Sequence, residues 1–183
     1  MTAGAWRLCG YSKEGCIVSN YKLEFWNPDA YGEDIDQAVD EYTRYIVYMV
    51  ELMIGRMRPD EPTQQFVVIF DLKGFYMSMA TRTNIRLMIR KLIYVAQSQY
   101  PERLRKVLLL NAPYGFETAW YMIKALLDVK TASKVVFCSS LSDLKPLRDE
   151  IDENVLPEEY GGTHAVYELP SKPLREEIAD TDE

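Results

Sequence analysis

The chain has 183 residues, enough for one domain, or one domain with a short tail, and for a substantial core. Its 21 lysines and arginines against 28 aspartates and glutamates give a net charge of -7, which disfavours broad electrostatic capture of nucleic acid. No apolar run approaches the roughly 20 residues that cross a bilayer, and the N-terminus lacks a signal-peptide pattern. Three cysteines cannot all pair within the chain, so reduced thiols in the cytoplasm are the simpler interpretation.

The chain begins with a predicted β-hairpin. Two short apolar runs between residues 6 and 18 flank a turn at 12–15, whose last residue is a glycine that can adopt positive φ. A third extended segment is predicted at 21–26. A long helix then follows, because apolar residues recur at helical spacing through 35–53 and Gly55 is placed to end it.

The middle of the chain alternates strands with helices. Continuous apolar runs predict buried strands at 66–70, 107–110 and 135–138. Periodic apolar residues predict helices at 85–96 and 116–127. Strands that alternate with helices in this way pair in parallel through right-handed crossovers. We therefore predict an α/β fold with a mostly parallel β-sheet.

The C-terminal part is predicted to contain one more helix, at 142–151. Beyond Pro170 the sequence is acidic and interrupted by proline, which is typical of a disordered segment. The predicted domain organisation is therefore one folded lobe at 1–169 and an acidic tail at 170–183.

The helix predicted at 116–127 has more apolar residues than one buried face requires. Only Glu117, Thr118 and Lys124 are polar within it. One face belongs to the core, and the remaining apolar surface has no obvious partner. Either the helix is buried on two sides, or it covers an apolar space as a movable element; composition does not decide between them.

Thr131 and Lys134 are three residues apart, which places a hydroxyl and an ammonium on one face of a helical turn. A phosphodiester is bound by one positive charge with nearby hydrogen-bond donors, and a carboxylate such as Glu102 is a natural acceptor for sugar hydroxyls. Taken alone, however, Lys134 is better explained as a solvated residue before a strand and Glu102 as a surface charge.

Arg82, Arg86 and Arg90 recur at every fourth residue and form a basic ridge. The simplest interpretation is a solvated helix face. The alternative is docking on anionic lipid headgroups or on an acidic partner, where each cation near a membrane contributes about 1 kcal/mol.

Five short motifs, in this order and spacing, carry a family resemblance. They are DLKG at 71–74, YPERLRK at 100–106, NAPYGF at 111–116, DVKTASK at 128–134 and LPEEYGG at 156–162. Together they resemble the CRAL-TRIO lipid-binding domain of the phosphatidylinositol transfer proteins, over roughly residues 6–162. The resemblance implies a lobe in which a mostly parallel sheet and its helices enclose a hydrophobic lipid pocket.

The resemblance also assigns a role to the apolar helix at 116–127. In the family, the helix that follows the Asn-Ala-Pro strand end is the mobile gate over the pocket. The residues that would form this gate here are Phe116, Trp120, Ile123 and Leu127.

A headgroup site is implied in the same way. In members that bind phosphatidylinositol, the glutamate of the Tyr-Pro-Glu-Arg segment and the threonine and lysine of the T-x-x-K segment contact the headgroup. These match Glu102, Thr131 and Lys134. The ridge of Arg82, Arg86 and Arg90 then becomes a candidate membrane-facing surface.

Two departures from the family pattern limit what the resemblance implies. Members that bind phosphatidylcholine place a serine and a threonine where this chain has Phe66 and Val68. A second ligand, if there is one, is therefore expected to be a less polar lipid such as a sterol, an isoprenoid or a fatty acid. Most members also begin with a small helical domain, which we expect to be absent here, either removed or naturally missing.

The resemblance implies a lipid carrier that sequesters one lipid, phosphatidylinositol first, and exchanges it with membranes. The alternative is an adaptor of the same fold that binds a protein partner or targets membranes without moving lipid. An enzyme is disfavoured, because the single histidine, His164, has no nucleophile motif, phosphate-binding loop or metal-ligand cluster beside it. We expect no cofactor, no metal and no nucleic acid partner, and a cytoplasmic protein in transient, peripheral contact with membranes.

Overall fold

The computed structural model describes residues 5–60, 63–138 and 144–164. They contain a five-stranded sheet whose strands lie side by side in chain order. The strands are β1 Trp6–Tyr11, β2 Ile17–Lys22, β3 Phe66–Asp71, β4 Leu104–Leu110 and β5 Val135–Phe137. β1 is antiparallel to β2, and every later pair is parallel. The predicted α/β fold with a mostly parallel sheet is confirmed.

Helices connect the parallel strands, and one more helix follows β5. They are α1 Ile35–Gly55, α2 Met77–Thr81, α3 Thr83–Gln99, α4 Phe116–Lys124, α5 Val129–Ser133 and α6 Lys145–Glu150. Short 3-10 turns lie at Leu23–Phe25, Pro28–Tyr31 and Glu158–Tyr160. Because the strand order equals the chain order, right-handed crossovers place all the connecting helices on one face of the sheet.

The sheet therefore has two different faces. The face toward α1, α3 and α4, here called the cavity face, presents Phe66, Val68, Phe70, Val107 and Leu109. The opposite face, here called the closed face, presents Val67, Ile69, Leu108 and Leu110. It is covered by α6 and by the segment after it, through Leu147, Ile151, Leu156 and Tyr160.

Two predicted elements differ from the structure. The prediction of a third extended segment at 21–26 is wrong, because β2 ends at Lys22 and the chain turns into the 3-10 helix Leu23–Phe25. Lys22 is paired with Asp71, the last residue of β3, so the sheet offers the following residues no strand partner. The short α2 was not predicted, since five residues are too few to show a helical period.

The helix predicted at 116–127 ends as α4 at Lys124. Its last residues form a tighter turn, in which Leu126 N donates to Ile123 O at 3.0 Å and Leu127 N donates to Lys124 O at 3.2 Å. The chain must leave the helix here because Asp128 is extended and caps α5. Of the helix predicted at 142–151, the structure shows α6, while residues 142 and 143 and the tail at 170–183 lie outside the described residues.

Candidate functional site

An apolar cavity of about 260 Å³ lies between the cavity face of the sheet and the helices α1, α3 and α4. Its floor is formed by Phe66, Val68, Phe70, Val107 and Leu109. None of the described residues that line it is charged, and apart from the indoles and tyrosines the polar side chains in its wall are Gln97 and Thr131. Such a space excludes water and accepts hydrocarbon.

This floor includes the two positions at which the sequence analysis expected no hydroxyl, in contrast to members of the family that bind phosphatidylcholine. Phe66 and Val68 are both buried and both line the cavity. Neither offers a donor, so this part of the wall suits acyl chains or rings rather than a charged headgroup.

All four predicted gate residues line the cavity. Phe116, Trp120, Ile123 and Leu127 form its wall on the side of α4 and the turn that follows. Gly115 starts the helix with φ of 83°, a left-handed conformation that glycine adopts without strain. The opposite side of α4 is turned outward, where Tyr121 is 78% exposed and Met122 is 45% exposed. The helix is thus apolar on the side facing the cavity and on the side facing out.

A second space of about 440 Å³ opens between α3 and α4 on the outside of the molecule, here called the outer groove. Four side chains line both the outer groove and the cavity: Phe75, Ile85, Ile89 and Ile123. One layer of side chains therefore separates the interior from the surface. Rotation of these side chains or displacement of α4 would join the two spaces.

The basic ridge is divided in the structure. Arg86 and Arg90 line the outer groove beside α4. Arg82 instead pairs with Asp29, and this hydrogen-bonded pair raises the pKa of the guanidinium and lowers that of the Asp29 carboxyl. Two of the three predicted cations thus lie at the edge of the outer groove.

The three predicted headgroup residues lie near one another at the β5 end of the cavity, although their sequence positions span 102–134. Thr131 lines the cavity. Lys134 Nζ donates to the carbonyl of Leu104, another cavity residue, at 2.5 Å. Glu102 is exposed, and the positive charges of Lys130 and Lys134 both act on its carboxylate.

Glu102 is held in an uncommon backbone conformation with φ of 62°. Its carbonyl accepts a hydrogen bond from Gln65 Nε2 at 2.8 Å, and its carboxylate forms a 2.6 Å ion pair with Lys130 Nζ. That hydrogen-bonded pair lowers the pKa of Glu102 below its usual range. The carboxylate is therefore ionised at neutral pH and can accept hydrogen bonds from hydroxyl groups.

Asp128 organises the turn that carries Thr131. Its carboxylate accepts from Thr131 N at 2.7 Å and from Thr131 Oγ1 at 2.7 Å, which lowers the pKa of Asp128. Its own N–H donates to Gln97 Oε1 at 2.9 Å, so α3 fixes the start of α5. The short helix is thus tied to the cavity wall at both Gln97 and Thr131.

Sequence reasoning missed three members of this cluster: Gln97, Asp128 and Lys130. Asp128 had a detectable signal, since an aspartate three residues before Thr131 is a helix N-cap pattern. Gln97 and Lys130 had none, because both act on residues about 30 positions away.

Features of other site classes are absent from the part of the chain that the structure describes. There, no group of three histidine, cysteine, aspartate or glutamate side chains could hold a metal ion. No helix in the same part is long and apolar enough to cross a membrane. His164 lies after the last 3-10 turn, where its N–H donates to Leu156 O at 3.1 Å.

Comparisons with known proteins agree with this geometry. The family model of the CRAL/TRIO domain matches residues 2–162. The SEC14 cytosolic factor of Candida glabrata is 37% identical over 100 residues, which cover 55% of this chain and 32% of that protein. The phosphatidylinositol transfer protein CSR1 of Eremothecium gossypii is 28% identical over 153 residues, which cover 84% of this chain and 32% of that protein.

The crystal structure of Sfh5 is similar in fold, with a TM-score of 0.73 at 19% identity. The superposition covers 96% of this chain and 64% of the Sfh5 chain. At this level of identity the likeness shows the shared fold alone. The chain spans about a third of the length of the two curated relatives.

Proposed function

The chain belongs to the CRAL/TRIO domain family, and from that premise we propose that it binds a single lipid, phosphatidylinositol, and exchanges it between membranes. The observation that carries this proposal is the apolar cavity roofed by α4, with Thr131 in its wall beside the cluster of Glu102 and Lys134. Acyl chains would fill the cavity, and the headgroup would bind at the cluster.

The chemistry of the cluster suits a phosphoinositol. The phosphate would accept hydrogen bonds from Lys134 Nζ and, once the Thr131 hydroxyl rotates away from Asp128, from Thr131 Oγ1, and the inositol hydroxyls would donate to Glu102. These groups are held by replaceable partners. Lys134 binds a backbone carbonyl, and the pair of Glu102 with Lys130 is exposed, where ion pairs contribute little and exchange readily.

The size of the cavity requires α4 to move. A space of about 260 Å³ falls below the roughly 300–1,000 Å³ of pockets that hold drug-sized ligands, and a diacyl lipid is larger still. Displacing Ile123 and its neighbours would add the outer groove to the cavity. We therefore expect lipid entry and exit between α3 and α4.

The surface around this entrance suits contact with a membrane. Tyr121 and Met122 present apolar groups on the outside of α4, and Arg86 and Arg90 lie along the adjoining groove. Apolar groups can insert among the lipid headgroups while the arginines bind anionic lipids. Docking by this surface would bring the entrance onto the bilayer.

An adaptor without transfer activity is the second candidate, and the outer groove is the observation that favours it. The groove is open, largely apolar and edged by two cations, so an amphipathic acidic peptide could also bind there. In that case the cavity would be filled by a lipid that does not exchange, or by none.

Transfer of fluorescent phosphatidylinositol between vesicles tests the proposal, with wild type, Lys134→Ala and Lys145→Ala compared. Lys145 is an exposed lysine of α6, on the side of the closed face, and is the matched control. We expect Lys134→Ala to lose about tenfold or more in transfer, as for a lost charge-assisted hydrogen bond, while Lys145→Ala keeps the wild-type rate. A folded wild type that binds vesicles but transfers nothing would contradict the carrier and favour the adaptor.

A further inference from the structure

We propose that Lys130 determines which sugar headgroups bind at the headgroup cluster, here Glu102, Thr131 and Lys134 with Asp128 and Lys130. Its ammonium occupies the Glu102 carboxylate, so a sugar headgroup must displace it and binds well only if it brings a phosphate to which the ammonium can move. Lys130 is not among the three residues that the family resemblance assigns to the headgroup. The inference rests on the proposed function, because it requires a headgroup to bind at Glu102 and Lys134.

The backbone of Lys130 is fixed on the turn at the end of the cavity. Its N–H interacts with the Asp128 carboxylate, and its carbonyl accepts from Ser133 Oγ at 2.7 Å. The next residue, Thr131, lines the cavity. A change of partner therefore requires the Lys130 side chain to move but not its backbone.

The ammonium of Lys130 extends from α5 to the segment before β4. There its Nζ forms the 2.6 Å ion pair with Glu102 Oε1, and 66% of the Lys130 side chain and 65% of the Glu102 side chain are exposed. Exposed pairs of this kind contribute little free energy, because water solvates both partners when they separate. The Glu102 backbone is held by Gln65, so the carboxylate stays in place when the ammonium leaves.

The charges of the cluster are balanced before a lipid binds, with two lysines beside two carboxylates. Lys130 pairs with Glu102, and the Asp128 carboxylate accepts from Thr131 N and Thr131 Oγ1, both at 2.7 Å. Lys134 Nζ instead donates to a backbone carbonyl at 2.5 Å. Among the described residues of the cluster, Lys134 is thus the cation without an ion pair, and a phosphate would bind to it first.

The ammonium released from Glu102 lies close to that phosphate. Lys130 and Lys134 are four residues apart at α5 and its end, which places their side chains on one side of the turn. Both positive charges already act on the Glu102 carboxylate. A phosphate bound to Lys134 would therefore be within reach of Lys130 and would gain a second cation.

A sugar lipid without phosphate gains nothing from this exchange. Its hydroxyls would displace Lys130 from Glu102 but offer the ammonium no anion, so its binding loses one ion pair. Phosphatidylinositol breaks the same pair and forms another with its phosphate. Lys130 therefore selects sugar headgroups that carry a phosphate against neutral ones.

Two lipids with the same acyl chains test the proposal: phosphatidylinositol, and monogalactosyldiacylglycerol, which has a sugar ring but no phosphate. The protein is incubated with separate phosphatidylcholine vesicles, each containing a limiting amount of one of the two lipids. It is then repurified, and the bound lipid is quantified by mass spectrometry. Wild type should bind more phosphatidylinositol than galactolipid.

Lys130→Ala should bind about threefold more galactolipid than wild type, because the sugar no longer has to break an exposed ion pair. Its binding of phosphatidylinositol should stay close to wild type, since the substitution removes one pair from the free protein and one from the complex. Lys130→Arg should keep both wild-type amounts. Lys145→Ala, which removes an exposed lysine paired with Asp149 on α6, is the matched control. Galactolipid binding that does not rise in Lys130→Ala would overturn the proposal.

The Glu102→Gln background distinguishes competition for the carboxylate from a general effect of charge. Without a carboxylate, Lys130 has no partner to leave and can bind a phosphate at once. Adding Lys130→Ala to this background should therefore leave galactolipid binding unchanged and lower phosphatidylinositol binding about threefold. A gain in galactolipid binding that persists in Glu102→Gln would show that Lys130 does not act through Glu102. Lys130→Met, which keeps the length of the side chain, provides the same tests if alanine perturbs α5.

Lys134→Ala, measured on the same vesicles, separates this proposal from the proposed function. It should lower phosphatidylinositol binding about tenfold and leave galactolipid binding unchanged, since Lys134 does not occupy Glu102. If Lys134→Ala has no effect, the proposed headgroup site is wrong. If Lys134→Ala lowers phosphatidylinositol binding while Lys130→Ala leaves galactolipid binding at the wild-type amount, only the role assigned to Lys130 is wrong.

Discussion

The two faces of the sheet are built by alternate residues of the same strands, yet they are packed differently. On the closed face, Leu108 and Leu110 pack against Leu147, Ile151 and their neighbours. On the cavity face, Leu109 lines a space of about 260 Å³. A leucine on the closed face is therefore expected to contribute more to folding stability than a leucine on the cavity face, which leaves room for a ligand.

Buried polar groups show the same contrast. On the closed side the Asp71 carboxylate accepts from Tyr160 Oη at 2.7 Å, Asn111 Nδ2 at 2.7 Å and Lys73 N at 2.9 Å. Asn20 is less well satisfied there, since its amide lies beside the Tyr160 hydroxyl but makes no hydrogen bond of good geometry within the described chain. On the cavity side, the indole nitrogens of Trp6 and Trp26 are buried and have no hydrogen-bond partner among the described residues.

Leu108→Ala and Leu109→Ala test the contrast directly, because the two leucines are consecutive in β4 and face opposite ways. We expect Leu108→Ala to lower the free energy of unfolding by about 4 kcal/mol, since it leaves a new hole in packed core. Leu109→Ala should cost about 2 kcal/mol, because part of its surface already faces a void. Urea denaturation of both variants provides the measurement.

Both positions lie in the same strand and carry the same substitution, so each variant serves as the control for the other. Equal losses would mean that the cavity face is as tightly packed as the closed face. A larger loss at Leu109 would reverse the comparison.

Tyr160→Phe and Tyr100→Phe compare one hydrogen bond on each side of the sheet. Tyr160 donates to buried Asp71, so its loss should cost about 2 kcal/mol in the free energy of unfolding. Tyr100, which lines the cavity, donates to Glu51 at 2.6 Å in an exposed pair, whose loss should cost about 0.5 kcal/mol. Thermal or urea unfolding distinguishes the two, and comparable losses would show that Asp71 is satisfied without Tyr160.

The apolar runs of β3, β4 and β5 could be predicted from sequence because each run is apolar on both faces of the sheet. The run 66–70 became β3 with one added residue, and 107–110 became the buried end of β4. The cavity could not be predicted in the same way. Leu108 and Leu109 are identical in sequence terms, and only the distance from the sheet to α4 and α3 makes one packed and the other part of a cavity wall.

The candidate site was predictable only where its geometry is local. Thr131 and Lys134 were placed on one turn by their spacing, and the structure has them at α5 and its end. The contacts of Gln97 with Asp128 and of Glu102 with Lys130 join different elements, and no local pattern encodes them.

Amide hydrogen exchange can show whether the difference between the faces extends to motion. Only Phe116 and Ala119 are buried in the nine residues of α4, so we expect this helix to open locally and exchange fast. Adding vesicles that contain phosphatidylinositol should slow its exchange about tenfold, because the acyl chains would fill the space beneath it. Helix α6, on the closed face, is the internal control and should not change. Equal slowing of both helices would indicate a global effect of binding rather than a gate.

Titration of two carboxylates gives the smallest expected effect on stability. It compares one exposed ion pair on the cavity side of the sheet with one on the closed side. Lys130 lowers the pKa of Glu102 at the headgroup cluster, and Lys145 lowers the pKa of Asp149 on α6. Because the pKa is lowered, each ion pair contributes to folding stability at neutral pH. That contribution is lost as the pH falls through the lowered pKa, which lies below about 4.5 for Glu102 and below about 3.8 for Asp149. In carbon-detected NMR, Lys130→Ala should raise the midpoint of Glu102 alone, and Lys145→Ala that of Asp149 alone. A phosphoinositol bound through the Glu102 carboxylate should likewise release Glu102 from Lys130, so unchanged titration of Glu102 on lipid binding would place the headgroup elsewhere.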